Sequence, residues 1–130
     1  MNKLFFLILP LFGLAACGKS DVKSVGPAEA LSLINDKSSG LQIVDLRTPE
    51  EIVNTGMLPG ASAIDFTTPG FEQMIEVLKK DQPVLLYCAS GVRSARAANL
   101  LQQKGYKKVY NLANGMNGWK AAGNPIIPVK

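Results

Sequence analysis

The run Pro83-Val84-Leu85-Leu86-Tyr87-Cys88-Ala89-Ser90-Gly91-Val92-Arg93-Ser94, PVLLYCASGVRS, decides how the rest of the chain is read. Its first half is short, apolar and opened by proline, the pattern of a central strand buried on both faces. Its second half is small and glycine-containing, and it leads into a helical stretch from Gly91 to Lys104 that Gly105 stops. A strand that feeds a tight loop and then a helix is the repeating unit of an α/β protein.

Outward from that unit the same alternation continues. Asp21 to Val25 reads as an edge strand, and Pro27 to Asn35 as a helix with proline at its first position and Ala30, Leu31 and Ile34 at helical spacing. Leu41 to Leu46 is β-rich. Thr48-Pro49-Glu50-Glu51 opens a helix with a capping box, kept short by Gly56 and Pro59-Gly60. Ala61 to Phe66 reads as a brief strand. Thr68-Pro69 opens a further helix whose stripe of Phe71, Met74, Ile75 and Leu78 is expected in the core. Val109 to Leu112 gives another strand, and Asn114 to Ala122 a last helix ended by Gly123 and Pro125. Strand and helix in strict turn predict a mainly parallel sheet.

The start of the chain is of another kind. Three residues with one lysine precede the apolar run LFFLILPLFGLAA (Leu4–Ala16), which is shorter than the roughly 20 residues a membrane-spanning helix needs. It reads as the hydrophobic region of an export signal. Leu14-Ala15-Ala16-Cys17 resembles the lipobox of bacterial lipoproteins. That resemblance implies cleavage after Ala16, lipidation of Cys17 and anchoring in a cell envelope, with Gly18 mildly favouring an outer membrane. The plain alternative is a conventional signal peptide. Residues 17–24 then form the lipidated cysteine and a short tether, and residues 25–130 one domain.

Cys17 and Cys88 are the only cysteines, and the chain has no histidine. Export leads to an oxidising compartment, so a Cys17–Cys88 disulfide is one reading of the pair. Lipidation of Cys17 leaves Cys88 as a single free thiol. An ordinary Cys/His zinc site is excluded, and no metal or other cofactor is expected. Beyond residue 16 there are thirteen basic and ten acidic side chains, without a long basic run. That balance disfavours a nucleic-acid partner and suits a small anion or an anionic membrane surface.

In a parallel sheet, ligands collect where strands end and helices begin. Cys88 stands at such a point. The backbone N–H groups of Ala89, Ser90, Gly91 and Val92 can converge on one site, and the helix that follows adds free N–H donors and partial positive charge. A free cysteine has a pKa of about 8.5 and is a few per cent thiolate at neutral pH. Amide donors and a neighbouring arginine lower that value without a histidine. Arg93 sits in the first helical turn, where a cation is slightly unfavourable unless an anion faces it. Its planar fork suits a donor with several terminal oxygens. Arg96, one turn on, either assists or is an ordinary surface residue. Taken alone, Cys88 reads as a small core residue. With Gly91, Arg93 and Ser94 at a strand-to-helix junction, it reads as a reactive thiol.

Four segments together resemble single-domain rhodanese sulfurtransferases. They are VDLRTPEE (Val44–Glu51), GMLPGA (Gly56–Ala61), YCASGVRSARAANLLQQKGY (Tyr87–Tyr106) and NLANGMNGWKAAGNPI (Asn111–Ile126). The resemblance implies a three-layer α/β fold, a five-stranded mainly parallel sheet with helices on both faces. It implies transfer of a sulfane sulfur from thiosulfate or a persulfide donor to cyanide or a thiol through a persulfide on Cys88. Ala89 to Arg93 would hold the anion, Ser94 would support the loop, and Asp45 and Arg47 would form a structural network behind it. Trp119 would pack near the site, chiefly as core, and the domain is expected to work as a monomer. Met57 stands where many members carry histidine. Ala89 stands where many carry a charged or polar residue, which makes this loop less cationic.

Three other readings compete. A cysteine phosphatase needs five residues between cysteine and arginine, and only four intervene here. A non-catalytic module binding an anion or a partner at the membrane would not need both Cys88 and Arg93. A C-x-x-C oxidoreductase would need a resolving cysteine nearby.

Overall fold

The computed structural model describes residues 21–130, in which strands and helices alternate from end to end. The elements are β1 (Asp21–Val25), α1 (Pro27–Asn35), β2 (Gln42–Asp45), α2 (Pro49–Thr55), β3 (Ala61–Ala63), α3 (Phe71–Met74) with a following 3₁₀ turn (Ile75–Val77), β4 (Val84–Tyr87), α4 (Val92–Gln103), β5 (Lys108–Leu112) and α5 (Gly115–Ala121). The expected export signal, Cys17 and the first residues of the tether lie outside the described residues. Residues 21–24, which the sequence assigns both to an edge strand and to the tether, are strand: β1 pairs with β5 from Asp21↔Lys108 onward.

The sheet has the order β1-β5-β4-β2-β3, and every pairing within it is parallel. β4 is central, with Leu86 opposite Val44 on one side and Asn111 on the other. Its four residues are all buried, as a strand covered on both faces requires. Alternation along β4 divides the core in two. Val84 and Leu86 join Ala97, Ala98 and Leu101 of α4 with Phe71 and Ile75. Leu85 and Tyr87 join Ala30 and Ile34 of α1 with Met116 and Trp119 of α5. The result is the three-layer α/β sandwich expected from the sequence.

Local chemistry fixes the element starts. Pro27 opens α1 at its first turn. Thr48 caps α2: its hydroxyl accepts from the Glu51 N–H, and Glu51 reaches back to the Thr48 N–H. Two expectations are corrected. β3 stops at Ala63, three residues short of Phe66. The helix after β3 begins at Phe71 behind a left-handed Gly70 (φ 85°) rather than at Thr68-Pro69. It makes one α turn before tightening to 3₁₀, long enough to bury the i, i+4 pair Phe71 and Ile75 but not Met74, which is 42% exposed.

Thr48→Ala removes the acceptor for an otherwise unsatisfied N–H and breaks the reciprocal box. It should lower stability by about 1 kcal/mol in urea unfolding, with the denaturant slope unchanged.

Candidate active site

All five strands point the same way, so their carboxyl ends share one edge of the sheet. Cys88 follows β4 there, and residues 89–91 turn the chain into α4. Gly91 caps that helix in the left-handed region at φ 98°, a conformation that costs a residue with a Cβ and not glycine.

Cys88 is a free thiol and is fully buried, at the floor of the loop. Its Sγ accepts from the Gly91 N–H at 3.1 Å and the Ser94 N–H at 3.4 Å, and lies 3.4 Å from the Ser94 hydroxyl. Burial pushes the thiol pKa up, but the Ser94 hydroxyl and the N–H groups of Ser94, Gly91 and Ser90 outweigh it, and the net direction is down. Three amides, those of Ser90, Gly91 and Ser94, thus surround the sulfur, where the sequence expectation was Ala89 to Val92. Ala89 contributes its carbonyl rather than its N–H, and Val92 turns its side chain outward, 59% exposed.

Ser94 is itself held. Its hydroxyl donates to Asn111 Oδ1 at 2.6 Å, and Asn111 Nδ2 lies 3.5 Å from the Gly91 carbonyl. A hydroxyl has one proton. While that proton serves Asn111, the thiol donates its own hydrogen to Ser94. When Cys88 ionises, the Ser94 proton can turn to the sulfur. Asn111, at the end of β5, was not singled out by sequence reading.

Two further contacts were also hidden in the sequence. The Arg93 guanidinium meets Glu51 in a bidentate pair, Nη1 to Oε1 and Nη2 to Oε2, each 2.8 Å. Glu51 was legible only as a helix cap. The Arg93 bond holds its pKa down at about 2, against the effect of burial and with help from Thr48. Arg93 is the residue expected to orient a donor's oxygens; in the structure its fork holds the Glu51 carboxylate, which fixes its position beside Cys88. Arg96, by contrast, is exposed and lines a separate hollow with Phe66, Phe71 and Glu72.

The second contact is α5. The Met116 N–H donates to the Cys88 carbonyl at 2.8 Å and the Asn117 N–H to the Ala89 carbonyl at 3.0 Å. A Cβ on Gly115 would overlap the Cys88 carbonyl oxygen, so only glycine lets α5 approach this closely. Trp119 is fully buried on the same helix, with its indole N–H donating to the Pro125 carbonyl at 2.8 Å. It packs with Tyr87 and Met116 and is core, as expected.

Asp45 and Arg47 lie behind the loop, 0% and 2% exposed. Arg47 Nη2 reaches Asp45 Oδ2 at 2.8 Å, and its Nε lies 3.0 Å from Oδ1. The same guanidinium donates to Thr55 and to the Gly56 carbonyl at the end of α2, and lies over the Tyr87 ring at 5.8 Å. Burial and the nearby Asp45 raise the Tyr87 pKa, and its phenol oxygen accepts the Leu58 N–H at 3.0 Å.

Comparison with known proteins places the whole domain in one family. The profile of the rhodanese-like domain matches residues 26–122. A sulfurtransferase from Allochromatium vinosum is 38% identical over 100 residues, spanning 77% of this chain and 91% of that protein. The thiosulfate sulfurtransferase GlpE of Coxiella burnetii is 30% identical over 99 residues, 76% of this chain and 88% of that one. Among solved structures, a rhodanese-related protein from Thermoplasma volcanium superposes with a TM-score of 0.70 at 25% identity, covering 81% of this chain and 97% of that one.

The depressed thiol pKa has a direct readout. The rate of Cys88 alkylation by iodoacetamide should rise with pH to a midpoint below the ordinary value of about 8.5. Ser94→Ala should move that midpoint upward, because it removes a donor to the thiolate and leaves the burial unchanged.

Proposed function

Since the chain belongs to the rhodanese-like family, with sulfurtransferases among its relatives, we propose that it moves a sulfane sulfur from thiosulfate or a persulfide donor to a thiophilic acceptor through a persulfide on Cys88. The observation that carries this reading is the buried sulfur encircled by amide donors, with its pKa drawn down and no base beside it. The Cys88 thiolate attacks the outer sulfur of thiosulfate. The S–S bond breaks, and sulfite leaves with the electron pair. The new Cys88 persulfide has a terminal sulfur that bears the negative charge. Donors already aimed at an anion serve it as they serve the thiolate, without reorganisation. Cyanide or a thiolate then takes the outer sulfur and returns Cys88 to the thiolate.

Arg93 supplies the positive charge near the incoming oxygens. Its pairing with Glu51 leaves the rim close to neutral, so donor binding rests on the amides and on the edge of the guanidinium that Glu51 does not use. This favours persulfide donors and thiosulfate alike over a phosphoryl group, whose larger charge needs a wider loop and an unpaired arginine. The four-residue spacing and the Glu51 contact both weigh against the phosphatase reading. A non-catalytic binding module would not need amide donors aimed at the Cys88 sulfur.

Intact mass after incubation with thiosulfate should show the gain of one sulfur atom. Cyanide should remove it, and Cys88→Ser should never acquire it. Full turnover by Cys88→Ser would overturn the mechanism. Arg93→Ala should raise KM for thiosulfate by about tenfold or more, the scale of one lost charge-assisted hydrogen bond, and leave the persulfide-to-cyanide step nearly unchanged.

The same reading extends to location. We propose that the chain is cut after Ala16 and lipidated at Cys17, and works as a monomer on the exported side of a bacterial envelope membrane. Support comes from the order of basic start, apolar run and LAAC. Several acyl chains, each CH₂ contributing about 0.8 kcal/mol when buried, make such an anchor effectively permanent. The protein extracted from cell membranes should have a mass matching residues 17–130 plus diacylglyceryl and acyl groups. Cys17→Ser should abolish that modification, and an unmodified full-length mass in the wild type would refute it.

A further inference from the structure

The edge of the sheet opposite Cys88 carries most of the lysines. Chain segments that lead into strands gather there: 36–41 before β2, 78–83 before β4, and 104–107 before β5. They bring Lys37, Lys79, Lys80, Lys104 and Lys107 to one end of the molecule, where Lys108, the first residue of β5, joins them. All but Lys104 are exposed. The acids at this end are Asp21, the first residue of β1 and opposite Lys108, Asp36, whose carboxylate is hydrogen-bonded to Ser38, Glu76, which is paired with Lys104 at 3.1 Å, and Asp81, so that six lysines face four acids. At the other end, Arg93 and Arg96 stand among Glu50, Glu51, Asp65 and Glu72.

The lysine-bearing segments are fixed to one another. The Lys107 N–H donates to the Lys80 carbonyl at 3.2 Å. Gln42 bridges to Lys79 in both directions, 2.9 Å to its carbonyl and 2.8 Å from its N–H. Lys80 lies over the Tyr106 ring at 5.7 Å. The four side chains Lys79, Lys80, Lys107 and Lys108 are therefore carried on a hydrogen-bonded platform. β1 begins on this same end, Asp21 opposite Lys108, so residue 17 is separated from the platform by only three residues, 18–20.

We propose that this lysine edge lies against an anionic lipid surface, so that the domain stands on the membrane with the Cys88 loop facing away from it. The proposal rests on the Cys17 anchor only for permanence, since the charge complementarity acts with or without it. A lysine near an anionic bilayer contributes about fivefold in affinity. The orientation also matters for the chemistry. From Pro83 to Cys88 the central strand runs five residue steps at about 3.3 Å each, roughly twice the Debye length of about 8 Å at physiological salt. Lipid charge at the lysine edge is screened before it reaches the Cys88 thiolate or an approaching anionic donor. Donor and acceptor then come from the aqueous side, the acceptor being a soluble thiol or protein rather than a group within the bilayer.

The test uses the full chain purified from membranes and placed in vesicles of phosphatidylcholine alone or mixed with phosphatidylglycerol. An amine-reactive reagent and mass spectrometry read each lysine. Lys79, Lys80, Lys107 and Lys108 should react about fivefold more slowly on the anionic vesicles, with protection lost at high salt. Lys120, on α5 whose first turn holds the Cys88 carbonyl, should not change. Thiosulfate turnover should be the same on both vesicles, and Lys80→Glu with Lys108→Glu should abolish the protection and leave turnover intact. Lipid-independent labelling of the four lysines, or equal protection of Lys120, overturns the proposal. So does equal protection by soluble polyglutamate, which would assign the surface to an acidic polypeptide. Flotation at high salt separates this from the anchor: a chain that floats without the footprint keeps its anchor and loses this surface. A chain that floats only at low salt, on anionic vesicles and with the footprint, does the reverse.

Discussion

Asp45 and Arg47 are two charges taken out of water at the carboxyl end of β2, and the ends of three elements are organised around them. Such a pair contributes little net stability compared with apolar residues of the same size, because desolvation offsets most of the attraction. What it imposes is direction. Arg47 must satisfy Asp45, Thr55 and the Gly56 carbonyl at once, so the end of α2 is brought to the end of β2. Tyr87 lies under the same guanidinium and accepts from Leu58. It is the last residue of β4, and the next residue is Cys88. The position of the thiol follows from a buried charge on the neighbouring strand, where Asp45 stands opposite Tyr87.

At that position the sulfur meets opposing demands. Burial disfavours the thiolate, yet the protein needs burial to make each amide hydrogen bond count. The amides win because the loop cannot relax away from the sulfur. Its carbonyls are pinned by the first turn of α5, and that turn fits only because Gly115 has no Cβ and Asn114 accepts a left-handed conformation at φ 60°. Asn tolerates that region better than most residues with a side chain. Rigidity here is part of the electrostatics: donors that are already oriented need not reorganise when charge moves from the Cys88 sulfur to a terminal one.

Features set by near neighbours could be read from the sequence. Pro27, the Thr48–Glu51 box, the apolar run of β4 and the Gly91 turn act within four or five residues, and each was legible. The cysteine, its loop and Arg93 were legible for the same reason. The Arg93–Glu51 bond joins residues 42 apart, and Ser94–Asn111 joins residues 17 apart. Neither leaves a periodic trace, and Glu51 already had a local role that accounted for it. The start of α3 was misread because Thr68-Pro69 resembles Thr48-Pro49. In the first case no glutamate stands three residues after the threonine to close the box, and a left-handed Gly70 postpones the helix.

The polarity of the fold joins its two ends. Parallel strands joined by helices put helix amino ends at one edge and carboxyl ends at the other. Unpaired N–H groups favour anions at the first edge, and free carbonyls favour cations at the second. Cys88 and its donors use the first property. Lys104, the C-cap of α4, stands where the second favours it. Lys80, Lys107 and Lys108 lie beyond the helix ends, where the dipole contributes little. A sheet that presents an anion-binding centre to one edge and a cationic platform to the other is an oriented object. In the orientation proposed above, the cationic edge would meet the anionic surface and the Cys88 loop would stay in water.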